Sequence, residues 1–349
     1  MTIHEKPEDS LRFRQSYLDG IRKTIEARRA ECDRLRAAYL SPESCAAHRE
    51  DYRKDFLDLL GSPLREYEEL KSSPMAVKSE PRGFYGEAEM TSLQFEVLPG
   101  LWFYGIYFEH PKKDPSLPFV ISQHGGAGTP EVGSNFFGPN NYTDMTERAL
   151  NYGGGANVFA PGLILWTKEF GPEYDRASLD IQLKQVGSSI TALELFALRR
   201  TLDYFVERGI AHPGSIGMLG LSYGGFYTLM TAAAEPRIDA AYASCQYNDR
   251  YRYGWEDWTW TGAAEKFLDA EIAALVAPRA LYLEEGDHDP LFDAASFEEE
   301  CRRALPFFEA AGAADRLGWQ VFDGDHELAH NDNGFDFLFR HLTGESEAE

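Results

Sequence analysis

Apolar residues recur at two different spacings along this chain, and the change between them falls near Phe84. From residue 8 to about 70, Leu18, Ile21, Ile25, Leu35 and Tyr39 stand at helical spacing in charged, glycine-poor surroundings, which predicts helices. A second helix is predicted over 46–60, stopped by Gly61-Ser62-Pro63 with glycine just past the last turn and proline behind it. From Phe84 the pattern turns strand-like: 89–97 and 101–108 flank Leu98-Pro99-Gly100 and read as an antiparallel hairpin. Beyond Pro118, short apolar runs at 119–122, 157–160, 215–219, 240–244, 280–283 and 318–322 alternate with helical segments. Such alternation builds βαβ units and a mostly parallel sheet. The segment 180–208 carries Leu183, Val186, Ile190, Leu193 and Ala197 on one face and predicts a single long helix laid on that sheet. No internal repeat or low-complexity linker interrupts the series. The expected organisation is a helical appendage over 1–80, an α/β domain over 81–343, and a frayed acidic tail over 344–349.

Composition narrows the function classes. The chain has 349 residues, 43% hydrophobic and 26% charged, enough to bury a substantial core in one large domain with an appendage. A formal charge of −23 repels polyanions, so neither nucleic acid nor an anionic membrane surface is an expected partner. A neutral or cationic substrate fits better, and homo-oligomer formation stays open. There is no apolar run of membrane-spanning length, and the first ten residues lack the apolar stretch of a signal peptide, so a cytoplasmic protein is expected. Cys32, Cys45, Cys245 and Cys301 stand far apart without a C-x-x-C pair, the pattern of buried free thiols rather than of a zinc knuckle or disulfide framework.

Candidate chemistry gathers where predicted strands end. The run at 216–219 leads straight into Gly220-Leu221-Ser222-Tyr223-Gly224, and Phe226 to Ala234 behind it is helix-compatible. A serine at such a sharp strand-to-helix turn sits in a strained conformation that small neighbours permit, with its hydroxyl projecting above the sheet. Ser222 is therefore a candidate nucleophile; without chemistry, the same stretch is only a glycine-rich turn. A serine needs a base, usually a histidine held by a carboxylate. After the strand at 280–283 comes Gly286-Asp287-His288-Asp289, and after 318–322 comes Asp323-Gly324-Asp325-His326, with a helix expected over 333–341. His326 is the expected base and Asp289 the expected orienting acid, with Asp287 the second choice; both aspartates could instead cap a helix starting near Leu291. The chain order Ser222, Asp289, His326 is that of a serine hydrolase on a parallel sheet. An oxyanion hole needs two N–H donors. Tyr223, next after the nucleophile, supplies one by position, and the glycines after the strand at 119–122, Gly125 or Gly126, supply the other.

Two further features compete for attention. His326-Glu327-Leu328-Ala329-His330 matches the H-E-x-x-H pattern of zinc metallopeptidases. That pattern requires both histidines inside a helix, and Asp323-Gly324-Asp325 before it and Asn331-Asp332-Asn333-Gly334 after it leave no room for one, so no metal is expected. Trp166, Trp255 and Trp258 follow strand ends on the side where the pocket should open. Their faces suit stacking on a sugar ring, or equally a lid or subunit contact.

These residues resemble the α/β-hydrolase superfamily and, within it, the dienelactone-hydrolase-like and acetyl xylan esterase-like enzymes. The resemblance rests on His124-Gly125-Gly126, Gly220-Leu221-Ser222-Tyr223-Gly224, Gly286-x-x-Asp289 and Asp323-Gly324-Asp325-His326 and spans about residues 84–343. Dienelactone hydrolases proper use a cysteine nucleophile, and the serine here argues against that activity. The helical N-terminus resembles that of bacterial esterases assigned to plant-polysaccharide breakdown. What the resemblance implies is a serine hydrolase that cleaves carboxylic esters through an acyl-enzyme, with short acyl groups such as acetyl on a carbohydrate as substrate. It implies no metal and no organic cofactor. The rival readings are a serine peptidase of the prolyl-oligopeptidase type and a non-catalytic binding protein on a hydrolase fold.

Overall fold

Five short runs of the chain are buried at every position, Phe119–Gln123, Asn157–Pro161, Ile216–Leu221, Ala240–Ser244 and Ala280–Gly286. Strands of this kind must be covered on both faces. In the computed structural model, which describes residues 7–165 and 174–344, they form β4 to β8 of a nine-stranded sheet, with β1 (Val77–Tyr85), β2 (Ala88–Leu98), β3 (Leu101–Glu109) and β9 (Leu317–Phe322) completing it. The spatial order is β1-β2-β3-β5-β4-β6-β7-β8-β9. The first three pairings are antiparallel and all later ones parallel. The expected α/β class with an antiparallel start is what the chain adopts.

The helices are α1 (Pro7–Tyr39), α2 (Pro42–Leu60), α3 (Tyr67–Leu70), α4 (Pro130–Gly133), α5 (Asn141–Asn151), α6 (Arg176–Gln185), α7 (Ile190–Glu207), α8 (Tyr223–Ala234), α9 (Asp269–Ala274), α10 (Ala294–Ala310) and α11 (Asn333–Thr343). Alternate strand residues feed two cores. Phe119, Met218 and Leu281 meet Phe56 of α2, Phe196 of α7, Phe226 of α8 and Phe297 of α10 on one face. Val120, Leu219 and Tyr282 meet Met145 of α5 and Phe335 and Leu338 of α11 on the other. All four cysteines are free and buried. No helix among the described residues is long and apolar enough to cross a membrane.

Two expectations are corrected. The single helix over 180–208 is two, because the chain turns at Val186-Gly187-Ser188. Gly187 takes φ 78°, Val186 is exposed instead of continuing an apolar face, and Ser189 caps α7 by accepting from the Ala192 amide. The sheet starts at Val77 rather than Phe84. β1 is exposed along nearly its whole length and carries Pro81 and Gly83, so it has no alternation for a pattern to reveal; the boundary expected between 80 and 81 cuts this strand. The N-terminal helices α2 and α3 pack onto this body, with Cys45, Phe56 and Leu60 of α2 and Tyr67 of α3 in the same core as β4 and β6. Residues 345–349, most of the expected tail, lie outside the described residues.

A buried ionic hub fixes α3 to the main body. Arg237 donates to Asp203 at 2.7 Å and to Glu235 at 2.7 Å, and its guanidinium also reaches the Tyr67 hydroxyl. Arg199 donates to the same Glu235 carboxylate at 3.0 Å. Burial alone would raise the pKa of Glu235, but the hydrogen bonds and charges of Arg237 and Arg199 reverse this and hold it at about 2. Because this carboxylate titrates lower in the folded than in the unfolded chain, its stabilisation is present above pH 4.5 and is lost as the pH falls towards 2. Arg237→Ala should lower the unfolding free energy by about 2–3 kcal/mol at pH 7 and make the acid branch of stability against pH shallower than in the wild type. Urea denaturation from pH 2 to 7 checks this; parallel profiles for the two proteins would contradict it.

Candidate active site

The turn between β6 and α8 is sterically saturated. Ser222 takes φ 62° and ψ −122°, a region that side chains rarely occupy and that costs about 1–3 kcal/mol. A Cβ on Gly224 would lie 2.0 Å from the Gln123 carbonyl oxygen, and one on Gly220 would lie 2.3 Å from that of Gly224. Only glycine fits at either place, which is the physical content of the Gly-x-Ser-x-Gly spacing. The Ser222 amide donates to the Ser244 carbonyl at 2.9 Å, and its carbonyl accepts from Phe226 in the first turn of α8. Ser222 is partly exposed while its neighbours Leu221 and Tyr223 are buried.

Beyond β8, Asp289 accepts from the Leu291 and Phe292 amides with Oδ1, at 2.7 and 3.1 Å, and meets His326 Nδ1 with Oδ2 at 2.6 Å. The helix expected near Leu291 starts at Ala294 and is capped by Asp293 instead. Burial pushes the Asp289 carboxyl up, but the hydrogen bonds from His326, Glu285 and the Leu291 amide together outweigh it, leaving the group below the usual carboxylate range. Asp287 points elsewhere: it accepts from the Gly324 amide and lies beside the exposed His288. His326 stacks on Phe292, ring centroids 5.9 Å apart. With Nδ1 committed to Asp289, its Nε2 is the nitrogen left for a substrate or nucleophile. No hydrogen bond joins Ser222 and His326 among the described residues. Their loops are nevertheless tied, because Ser244, which receives the Ser222 amide, and Cys245 both donate to the Glu327 carbonyl, at 3.3 and 3.1 Å.

The loop after β4 approaches the serine from the other side. A Cβ on Gly125 would lie 2.5 Å from the Leu221 carbonyl oxygen and 3.1 Å from Ser222 Cβ, so the Gly125 backbone runs directly against the nucleophile candidate. The Gly126 carbonyl accepts from the Tyr142 hydroxyl at 2.9 Å. His124 holds this loop in shape: Nε2 accepts from the Leu163 amide at 3.1 Å and Nδ1 donates to the Gly125 carbonyl at 3.0 Å. Burial pushes its pKa down to about 4, so the neutral tautomer needed for both bonds persists through the physiological range.

Among the aromatics, the expectation for Trp258 is corrected. It is 1% exposed and stacks on Phe226 with rings 4.3 Å apart and 6° from parallel, so neither face is free for a sugar. Trp255 is half-buried and stacks on Tyr223. Trp166 lies outside the described residues. The H-E-x-x-H match has no helix beneath it: the chain from Asp323 to His330 is irregular, and the His330 side chain is 79% exposed and lies beside Glu327. Two groups of potential metal donors do cluster among the described residues, Cys245 with Asp289 and His326, and the exposed Asp287, His288 and Asp323; neither contains His330. In the first, Asp289 and His326 already satisfy each other.

Several supporting residues carried no pattern that the sequence could reveal. Glu284 accepts from the Tyr242 hydroxyl at 2.6 Å and the Ala329 amide at 3.0 Å, anchoring the loop that carries His326. Its neighbour Glu285 is wholly buried, and burial together with the adjacent Asp289 raises its pKa to about 10, which makes it a neutral acid beside the Asp289–His326 pair. Arg176 binds Asp257 at 2.7 Å and Glu194 at 2.8 Å, and Asp257 accepts from the Tyr223 hydroxyl at 3.2 Å. The partners of Glu284 and Arg176 come from distant elements, so no local spacing reports them. Glu284 and Glu285 did leave one trace, two carboxylates inside an otherwise apolar strand.

The fold has counterparts among known proteins. The family model described as X-Pro dipeptidyl-peptidase (S15 family) matches residues 197–305. The Bacillus subtilis (strain 168) protein YtaP, provisionally assigned as a hydrolase, is 26% identical over 228 residues, covering 60% of this chain and 73% of its own. Among solved structures, a Bacteroides fragilis NCTC 9343 protein provisionally assigned as an acetyl xylan esterase superposes with a TM-score of 0.64 at 15% identity, over 91% of this chain and 89% of its own. A glucuronoyl esterase from Solibacter usitatus gives 0.59 at 13% identity, over 87% and 94%. Acetyl xylan esterase 1 from Thermoanaerobacterium sp. JW/SL YS485 gives 0.55 at 15% identity, over 82% and 98%. The chain has the α/β-hydrolase fold, with the architecture found in acetyl xylan esterases.

The contact at Gly224 generates a test of the turn itself. Gly224→Ala should lower the unfolding free energy by about 2 kcal/mol or more, because the atom it collides with is backbone of a central strand that cannot yield cheaply. Urea denaturation measures it, and wild-type stability would mean that the turn relaxes freely.

Proposed function

We propose that this protein is a serine hydrolase of carboxylic esters, with Ser222 as nucleophile, His326 as base and Asp289 as orienting acid. The observation that carries the reading is the 2.6 Å hydrogen bond between Asp289 and His326, made by residues just past β8 and β9, at the sheet end where Ser222 holds its strained conformation past β6. In this mechanism His326 Nε2 takes the Ser222 proton as the oxygen attacks the ester carbonyl. Asp289, held ionised, fixes the ring tautomer and stabilises the imidazolium. The Tyr223 amide and an amide of the Gly125-Gly126 loop receive the oxyanion. Collapse of the tetrahedral intermediate releases the alcohol, protonated by His326, and water then cleaves the acyl-enzyme by the same steps in reverse roles. A neutral Glu285 spares Asp289 a second buried negative charge.

For the substrate we favour a short acyl group, such as acetyl, on a carbohydrate. Support comes from the extent of the structural likeness to acetyl xylan and glucuronoyl esterases, which runs through most of the chain. The exposed Asp287 and Asp323 beside His288 make the rim near His326 acidic, which disfavours an anionic alcohol such as a uronate. A second reading, a serine peptidase, is favoured by the family match over 197–305, a stretch that includes Ser222 and Asp289. Turnover of acetylated xylo-oligosaccharides and p-nitrophenyl acetate against X-Pro p-nitroanilides separates the two: the ester reading expects the first pair to be cleaved and the anilide spared.

Substitutions sort the candidate residues. Asp289→Asn should reduce ester turnover by about 10⁴-fold and Asp287→Asn by less than about threefold, since only the former holds His326. The opposite ranking would move the orienting role to Asp287. His326→Ala should be nearly inactive, whereas His330→Ala and prolonged dialysis against a chelator should leave turnover intact. Equal damage from both histidine changes and from the chelator would replace the serine mechanism with a metal one.

A further inference from the structure

Helix α1 leaves the body of the protein partway along its length. Its last turns are anchored: Cys32 and Arg36 are buried, Tyr39 packs edge-on against Phe267, Arg29 donates to the Tyr251 carbonyl, and Arg28 pairs with Glu265. Before Arg28, every hydrogen bond and ion pair of α1 among the described residues stays inside the helix, as with Arg12 and Asp9, Gln15 and Asp19, or Thr24 and the Gly20 carbonyl. At about 1.5 Å per residue, residues 7–27 project for roughly 30 Å.

The projecting part is not polar all round. Leu11, Leu18, Ile25 and Cys32 follow one another at steps of seven, with Ile21 and Leu35 at the intervening seam positions and Arg14 and Arg28 interrupting it. The stripe that is buried at Cys32 therefore continues outward uncovered: Leu11, Leu18, Ile21 and Ile25 are 63%, 41%, 40% and 47% exposed. A repeat of seven is the spacing that seats one helix against another. Gly20 in its interior weakens the projecting helix, and a cover over the apolar stripe would stabilise it.

Charge indicates what covers it. The chain carries −23, and two copies repel over most of their surfaces. Residues 7–27 are balanced, with Arg12, Arg14, Arg22 and Lys23 against Glu8, Asp9, Asp19 and Glu26. This is a segment on which two copies can meet without that repulsion. A membrane surface fits poorly, because the segment has no basic excess and the acidic body behind it is repelled by anionic headgroups.

We propose that residues 7–27 of α1 pair with the same segment of a second copy of this chain, making a homodimer through a two-helix seam. Sedimentation velocity of the full-length protein from about 1 to 100 µM should show a dimer. The triple variant Leu18→Glu, Ile21→Glu, Ile25→Glu and a chain lacking residues 1–27 should both sediment as monomers with the thermal midpoint of the body retained. A wild type that stays monomeric at the highest concentration, or a triple variant that remains dimeric, overturns the proposal. A tagged triple variant should fail to capture untagged wild type; capture would mean that α1 docks on the body of the other copy, and would also overturn it. Flotation of the wild type with phosphatidylcholine–phosphatidylglycerol vesicles would assign the stripe to a membrane instead.

Discussion

The backbone contact between β4 and the turn after β6 is the constraint on which the rest of the site depends. Gly224 sits so close to the Gln123 carbonyl that a single added carbon would lie 2.0 Å from it, and this contact seats α8 against the end of the sheet while Ser222 is held at φ 62°. The strain at Ser222 is tolerated because its flanks are over-determined: its amide is tied to β7, its carbonyl to the first turn of α8, and the Gly125 backbone lies so close that a Cβ there would crowd it. Strain that persists under such constraint is characteristic of functional positions.

Around that fixed point the loops are positioned by buried polar groups rather than by apolar packing. His124 shapes the loop after β4, Glu284 anchors the one after β9, and Arg176 with Asp257 and Glu194 braces Tyr223. Buried hydrogen bonds, charge-assisted at Arg176 and neutral at His124, hold these loops in a dry environment. The arrangement also explains why Trp258 is structural: it fills the space between Phe226 and Phe292 beneath the segment that these bonds secure.

What the sequence reveals follows from what leaves a local trace. The parallel strands read as unbroken apolar runs because both faces are buried, and the turn at Ser222 reads through its glycines because the close contacts with Gly224 and with Gln123 of β4 leave no room for a Cβ at those two places. Asp289, His326 and their separation from Asp287 are legible only as far as strand ends can be counted; which aspartate reaches the ring is decided by the Leu291 and Phe292 amides, a detail that turn chemistry alone leaves open. β1 escapes because an exposed edge strand needs no alternation. The break at Gly187 escapes because the residues on either side keep helical spacing across it. Arg176 is invisible because its partners are distant in the chain, Glu284 and Glu285 show only as two carboxylates in an apolar strand, and Trp258 misleads because an aromatic beyond a strand end can serve the core as readily as a ligand.

The central claim is that Ser222 is a nucleophile made reactive by His326 and its carboxylate. Incubation with a fluorophosphonate followed by peptide mass mapping tests it most directly, since the reagent phosphonylates an activated serine oxygen with loss of fluoride. The account predicts a single adduct on the peptide containing Ser222, absent from Ser222→Ala and formed far more slowly in His326→Ala. An adduct on another residue, or none in a preparation that turns over esters, would contradict it.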